Sequence, residues 1–128
     1  MAVQPYAGAL EAIDRILNRE PEADEVLRQT VAVLHERIAH YRWVGISFVE
    51  EEDVELGPTA GERAAGGSLI EIPIEYRGAR IGALHVDSGA TEPASGEERR
   101  FLERVATLVS AHCLVGWDTG GVPWSELR

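Results

Sequence analysis

The chain has 128 residues, a length that predicts a single domain with a buried hydrophobic core. Its 22 acidic residues outnumber the 12 basic ones, all of them arginine, so the formal net charge is −10. Without lysine there is no Schiff-base or P-loop chemistry, and one cysteine cannot form an intrachain disulfide or a thiolate zinc site. The negative charge opposes binding to polyanions, so we expect no nucleic-acid partner and no membrane partner.

Residues 1–10 show neither the positive charge nor the apolar run of a secretion signal. No window of the sequence approaches the ~18 uncharged apolar residues of a membrane-spanning helix. Together with the single cysteine, these features predict a cytoplasmic protein.

The first half of the chain begins with two predicted helices. Apolar residues at helical spacing predict a short amphipathic helix over residues 8–18, and a polar connector follows around Pro21. A second apolar stripe starts at about residue 23 and continues to Tyr41, which predicts a second helix of that extent.

From residue 42 the apolar period changes from 3.6 to 2, which predicts strands. Four strands are predicted, at residues 42–50, 54–57, 69–76 and 80–87. The intervening residues 58–67 are rich in Gly, Pro and Ala, so we expect no regular element there. The last two strands are predicted to form a hairpin with a tight turn at Arg77 and Gly78.

The final helix is predicted by a capping box, in which Ser95 precedes Glu98 by three residues, and it ends near Gly116. We therefore predict one domain over residues 1–117 and a Gly/Pro/Trp-containing tail over 118–128. The fold class is α+β: an antiparallel sheet of about four strands, with the N-terminal and C-terminal helices packed on one face.

The element order and four segments of the sequence together resemble a GAF domain. The segments are YRWVGISFV in the first strand, LGPTAG after the second, IPIEYRGARIGALHVDS through the hairpin and EERRFLERVATLVS in the last helix. The likeness covers residues 8–115, and within the GAF group it is to the free methionine-(R)-sulfoxide reductases. It implies a helix-backed sheet, a ligand pocket on the opposite sheet face, and pairing of two copies through the terminal helices.

The chain departs from these reductases where the resemblance places their redox chemistry. It implies a long segment after the LGP-x-x-G motif, with pocket-covering helices and catalytic cysteines. Here only residues 62–67 separate Gly61 from Ser68, and that length cannot hold a helix and a strand. The lone Cys113 falls in the last helix and matches no catalytic position. Without a nucleophilic thiolate no sulfenic acid forms, so we expect no reductase activity.

The carboxylates implied by the resemblance are also reduced in number. The glutamate four residues before the hairpin proline is replaced by Leu69, and the first aspartate of a D-x-D-S strand end is replaced by His85. Only the second aspartate, Asp87, remains. A histidine two residues from a carboxylate could act as an acid/base pair, but it is a weak metal signal. We expect no metal and no cofactor.

Strand alternation assigns two different faces to the sheet. One face is apolar and predicts the core: Val44, Ile46, Phe48, Ile70, Ile72, Ile74, Tyr76, Leu84 and Val86. The other mixes apolar and ionisable residues: Trp43, Ser47, Val49, Leu69, Glu71, Pro73, Glu75, Ile81, Ala83, His85 and Asp87.

Three interpretations of the mixed face remain open. It is a solvated face on which the tail or residues 58–67 partly cover Trp43, or an interface with a second copy or a partner, or a residual small-molecule site. The candidate ligand-binding residues are Trp43, Glu71, His85 and Asp87. The leading hypothesis is a non-catalytic GAF-like signalling or interaction module that acts as a homodimer. The alternatives are a small-molecule sensor and, less favoured, a divergent sulfoxide reductase.

Overall fold

The computed structural model describes residues 5–50, 53–63, 68–89 and 94–114. Its elements are α1 (Pro5–Arg19), α2 (Ala23–Arg37), β1 (Tyr41–Glu50), β2 (Asp53–Gly61), β3 (Ser68–Tyr76), β4 (Ala79–Ser88) and α3 (Gly96–Leu114). The strands form one antiparallel sheet in the order β2-β1-β4-β3. The predicted α+β class is confirmed. The predicted tail, residues 118–128, lies outside the described residues.

All three helices lie on the same side of the sheet. Helices α2 and α3 pack directly on the strands, and α1 packs mainly across these two helices. The predicted core face is buried beneath them, except that Tyr76 is half-buried at the end of β3 beside Arg77. Across the described residues, no helix is long and apolar enough to cross a membrane.

Helix α2 ends earlier than its apolar stripe predicts. It stops at Arg37, because Ile38 has an extended backbone (φ −102°, ψ 101°), and Tyr41 is the first residue of β1. Both Ile38 and Tyr41 are nonetheless fully buried. The apolar spacing therefore predicted correctly that both side chains are buried in the core. It did not predict that the backbone at these two residues is no longer helical.

Strand β2 is longer than predicted and continues through Pro58. It ends at Gly61, so the expectation that residues 58–67 contain no regular element is wrong for its first part. Gly45 pairs with Thr59 and Ser47 with Leu56, so β2 carries one extra residue as a bulge. Proline is compatible with a strand at a bulge on a sheet edge, and β2 is an edge strand.

The hairpin turn between β3 and β4 is formed as predicted. Arg77 and Gly78 both have positive φ, 51° and 84°, which is the backbone of a type I′ turn. Gly78 has open space around it, so the turn conformation alone favours glycine there.

The capping box predicted at the start of α3 is formed in one half, since the Ser95 hydroxyl accepts the Glu98 backbone N–H at 3.1 Å. The buried Glu98 carboxylate bonds to the start of β1 and the residue before it rather than to its own helix: Tyr41 donates its hydroxyl at 2.8 Å, and His40 Nε2 lies 2.9 Å away. Burial and then this hydrogen bond raise the pKa of Tyr41. The network fixes the first turn of α3 against the beginning of the central strand.

Candidate functional site

The sheet face opposite the helices carries an open groove of about 710 Å³. All four strands and the two residues after β2 contribute to it. The lining residues are Trp43, Ser47, Val54, Leu56, Thr59, Gly61, Glu62, Arg63, Leu69, Glu71 and His85.

Strand register brings these distant residues together in rows that cross the sheet. In the order β2, β1, β4, β3, one row is Thr59, Gly45, His85 and Glu71. The next row is Gly61, Trp43, Asp87 and Leu69. Because facing residues in neighbouring strands are only about 5 Å apart, each row brings residues of all four strands side by side.

Trp43 forms an aromatic floor at one end of the groove. Its indole lies over Gly45, since a Cβ there would come within 2.7 Å of Cη2 and Cζ2 of the ring. Trp43 as a whole residue is only 9% exposed, although no helix packs on this face among the described residues. The guanidinium of Arg63 contributes to this cover, with Cζ 5.3 Å from the ring centroid.

Gly61 directs the chain so that Arg63 can reach the indole. It has φ +84°, and a Cβ there would lie 2.1 Å from the Arg42 carbonyl oxygen and 2.7 Å from His35. Only glycine fits this conformation and this approach. The Glu62 N–H bonds to the same Arg42 carbonyl at 3.2 Å, which holds the residue before Arg63 against β1.

A strip of polar atoms crosses the middle of the groove. Ser47 Oγ lies 2.8 Å from His85 Nε2, and Glu71 Oε1 lies 3.7 Å from His85 Nδ1 and 3.8 Å from an Arg80 nitrogen. Burial lowers the pKa of His85; the positive charges of Arg80 and Arg63 act in the same direction, and Glu71 opposes them. Near neutral pH the imidazole is therefore uncharged and can both donate and accept a hydrogen bond.

This strip is better suited to hydrogen bonding with a ligand than to acyl transfer. A serine, a histidine and a carboxylate in line are the side chains of a hydrolase, but that chemistry also needs donors aimed at an oxyanion. Strand N–H groups lie in the plane of the sheet and bond to the neighbouring strand. They do not point into a groove that lies above the sheet.

The structure brings together three of the four predicted ligand-binding residues, since Trp43, Glu71 and His85 all line the groove. Asp87 lies in the same row as Trp43 but is buried beside the groove. There it pairs with Arg42, whose guanidinium nitrogen is 3.2 Å from its carboxylate. This ion pair connects β1 and β4.

Neither Ser47 nor Arg63 was predicted to bind a ligand, although both line the groove. Ser47 was assigned to the correct face by alternation, but its hydrogen bond to His85 depends on strand pairing. Arg63 fell in a segment expected to be irregular. The one available signal was the apolar alternation of Val54 and Leu56, which continues past Pro58 only if a bulge is allowed.

Cys113 lies in the hydrophobic core, away from the groove lining. Burial raises the pKa of its thiol to about 12, so it is protonated and unreactive at neutral pH. Within the described ranges, no three His, Cys, Asp or Glu side chains are grouped as metal ligands would be.

An antiparallel sheet with helices on one face and a ligand-sized groove on the other is the architecture of GAF-type domains. Comparison with solved structures supports this assignment at the level of the fold. No family model matches the sequence, and a comparison with curated proteins finds no match.

Three structural neighbours illustrate the range of proteins with this fold. A putative GAF sensor protein from Burkholderia vietnamiensis is 17% identical, with TM-score 0.71 and coverage of 84% of this chain and 92% of its own. The GAF domain of a phosphoenolpyruvate-protein phosphotransferase from Coxiella burnetii is 14% identical, with TM-score 0.72 and coverage of 87% and 94%.

The third neighbour is the free methionine-R-sulfoxide reductase of Neisseria meningitidis in complex with its substrate. It is 18% identical, with TM-score 0.70 and coverage of 89% of this chain and 93% of its own. The chain thus has the GAF fold, as its sequence segments predicted. Because the neighbours include an enzyme and signalling domains, the fold is compatible with either kind of function.

Proposed function

We propose that this chain is a GAF-type module that binds a small molecule in the groove on the open sheet face. The observation that carries the proposal is the convergence of an indole, an imidazole, a hydroxyl and carboxylates in one volume of about 710 Å³. Binding sites for small molecules are typically ~300–1,000 Å³, mostly apolar, with a few convergent polar groups.

The burial, pKa and neighbours of His85 support the same proposal. It is partly buried with a lowered pKa, and it is held between a hydroxyl and a carboxylate in a cleft. Such perturbed groups are concentrated at functional sites. Because the only thiol is in the core, the proposed activity does not include the cysteine redox chemistry of the sulfoxide reductases.

The test is native mass spectrometry of the purified chain, followed by a thermal-shift screen of small metabolites. We expect a retained or added ligand that raises the melting temperature of the wild-type chain. The effect should be lost in His85→Ala and kept in Glu103→Ala, a matched change of an exposed residue on α3. A ligand effect that is equal in both variants would place binding elsewhere and reject the proposal.

A second candidate function is association of two copies through the same face. Val54 and Leu69 are 66% and 50% exposed and lie on β2 and β3, the two edge strands that flank the groove. Large exposed apolar side chains that share one face favour association. The apolar stripe of α1 is less available, because Ile13 is fully buried and Leu10 and Leu17 pack against the core.

The number of chains in the assembly distinguishes the two candidate functions. If the face forms a homodimer, the double variant Val54→Glu/Leu69→Glu should be monomeric in sedimentation velocity, with unchanged circular dichroism. A dimer that persists in this variant would move the interface away from the groove. A monomeric wild-type chain that retains a ligand would leave small-molecule binding as the supported function.

A further inference from the structure

We infer that the ligand of this groove is a small organic cation, an ammonium or guanidinium compound with an apolar body, that displaces Arg63 from the face of Trp43. The inference rests on the proposed function and specifies its ligand class. It is drawn from three features of the groove: a cation already on the aromatic face, carboxylates around it, and apolar walls.

The aromatic face is occupied by a cation from the chain itself. The Arg63 guanidinium lies 5.3 Å from the centroid of the Trp43 ring, within the ~6 Å range of a cation–π contact. Tryptophan is the strongest aromatic partner for a cation, and the absence of a side chain at Gly45 leaves room for this ring. Arg63 therefore shows which chemical group this surface accepts.

The charges of the lining favour a cationic ligand once Arg63 moves away. The remaining ionised side chains of the lining are Glu62 and Glu71, because the lowered pKa of His85 leaves it neutral near pH 7. Among the described residues Glu71 pairs with the cation Arg80 at 3.8 Å, and both side chains are about half exposed. An exposed pair at that distance is weak, so the carboxylate can exchange it for a ligand cation. The net charge of −10 favours the approach of cations.

The apolar walls define the other half of the ligand. Val54 and Leu56 on one side and Leu69 on the other face the groove, and Val54 and Leu69 are largely exposed without a ligand. A methyl-bearing or aliphatic body would cover them, which is favourable because it removes apolar surface from water. A compact onium ion with such a body matches the indole, the carboxylates and the walls together.

Displacement of Arg63 requires little rearrangement, because the side chain is long, exposed and placed directly after the turn at Gly61. The ligand must replace a contact of about 0.5–2 kcal/mol. Arg63→Ala removes this competition, so it should bind the cation about 2- to 30-fold more tightly than the wild-type chain does. If Arg63 instead contacted the bound ligand, Arg63→Ala would weaken binding.

The experiment compares three probes of nearly equal shape by ligand-observed NMR titration. They are choline, its neutral carbon isostere 3,3-dimethylbutan-1-ol, and the anion 3,3-dimethylbutanoate. We expect choline to bind at least tenfold more tightly than the alcohol, and the anion not to bind. Glu71→Gln should weaken choline binding several-fold, whereas Glu103→Gln on α3 should leave it unchanged. Arg63, Glu71 and Glu103 are exposed, so these variants should fold, as circular dichroism will check.

Two results would overturn the inference in different ways. If the alcohol or the anion binds as well as choline, and Arg63→Ala weakens that binding, the groove is a ligand site of another class and the proposed function stands. Both proposals are rejected if the groove variants change the binding of none of the three probes. The same must hold for every compound in a fragment set that includes cations, anions and neutral molecules.

Discussion

The two faces of the sheet use the same strands, yet they differ in nearly every physical property. On β3, Ile72 is 2% exposed beneath the helices, while the adjacent Glu71 side chain is 54% exposed in the groove. The helices supply apolar partners to one face, so a charged group there would lose its hydration. The other face has no such cover among the described residues, which allows carboxylates, an imidazole and an indole to share it.

Different contacts fix the conformation of the two sheet faces. The covered face relies on large side chains in mutual contact, as a packed core does. The groove face relies on close approaches that only glycine permits, at Gly45 under the indole and at Gly61 beside Arg42. Substitutions of the large core residues should therefore act through loss of packing, and substitutions of these glycines through steric conflict.

The largest expected effect is on the covered face. Ile72→Ala should lower the free energy of unfolding by about 2–5 kcal/mol, because it leaves a cavity under the helices. Glu71→Ala, one residue earlier, should change it by less than about 0.5 kcal/mol. Urea unfolding followed by circular dichroism measures both. Similar losses in the two variants would mean that the groove face is also packed.

The effect expected at the glycines is no larger than that at Ile72, and it differs between two positions. Gly61→Ala should suffer about 1–2 kcal/mol of left-handed backbone strain and a further ~1–3 kcal/mol from the clash with Arg42 and His35. Gly78→Ala has the same φ of 84° but open space, so it should show the backbone strain alone. Equal losses of unfolding free energy in the two variants would show that the chain shifts at Gly61 without cost.

The third prediction concerns the hydrogen bond between Tyr41 and Glu98 at the edge of the covered face. Tyr41→Phe removes the hydroxyl that donates to the buried Glu98 carboxylate, which should cost about 1–3 kcal/mol. Ser110→Ala removes an exposed hydroxyl bond on α3 and should cost less than about 0.5 kcal/mol. If thermal unfolding does not separate these variants, Glu98 is stabilised by His40 alone.

The smallest effect is the pH dependence of stability. Burial lowers the pKa of His85 in the groove and of His112 on α3 below their ordinary value of 6.5. The unfolded chain therefore binds more protons than the folded chain as the pH falls below about 6.5, so the free energy of unfolding should decrease between pH 7 and pH 5. Urea titrations of His85→Gln and His112→Gln should each show a shallower decrease. An unchanged slope in the double variant would assign the effect to other groups.

Local patterns were sufficient for most of the fold. The period-2 alternation from residue 42 identified the core face, and the adjacent Arg77 and Gly78 identified the hairpin turn, because both depend on neighbouring residues. Strand β2 was underestimated because Pro58 breaks regular pairing unless the strand is at an edge and bulged. Edge position is a property of the whole sheet, and a local window does not contain it.

The candidate site was predictable only in part, for the same reason. Alternation placed Trp43, Glu71 and His85 on one face, and the structure puts all three in the groove. It also placed Asp87 there, but whether that carboxylate faces a ligand or a counter-ion depends on Arg42, which is 45 residues away in sequence. Arg63 lies after the end of β2, and its contact with the Trp43 indole depends on the pairing of β2 with β1.

The amino-acid sequence by itself determined the types of the elements, the turn chemistry and which side chains share a face, since these follow from the geometry of short segments. Its composition, with no lysine and one cysteine, also excludes Schiff-base and P-loop lysine chemistry, an intrachain disulfide and a thiolate zinc site. Tertiary structure decided the strand order and, through it, which polar groups meet. Ser47, Glu71 and His85 come from three strands, and only the pairing of those strands makes them neighbours.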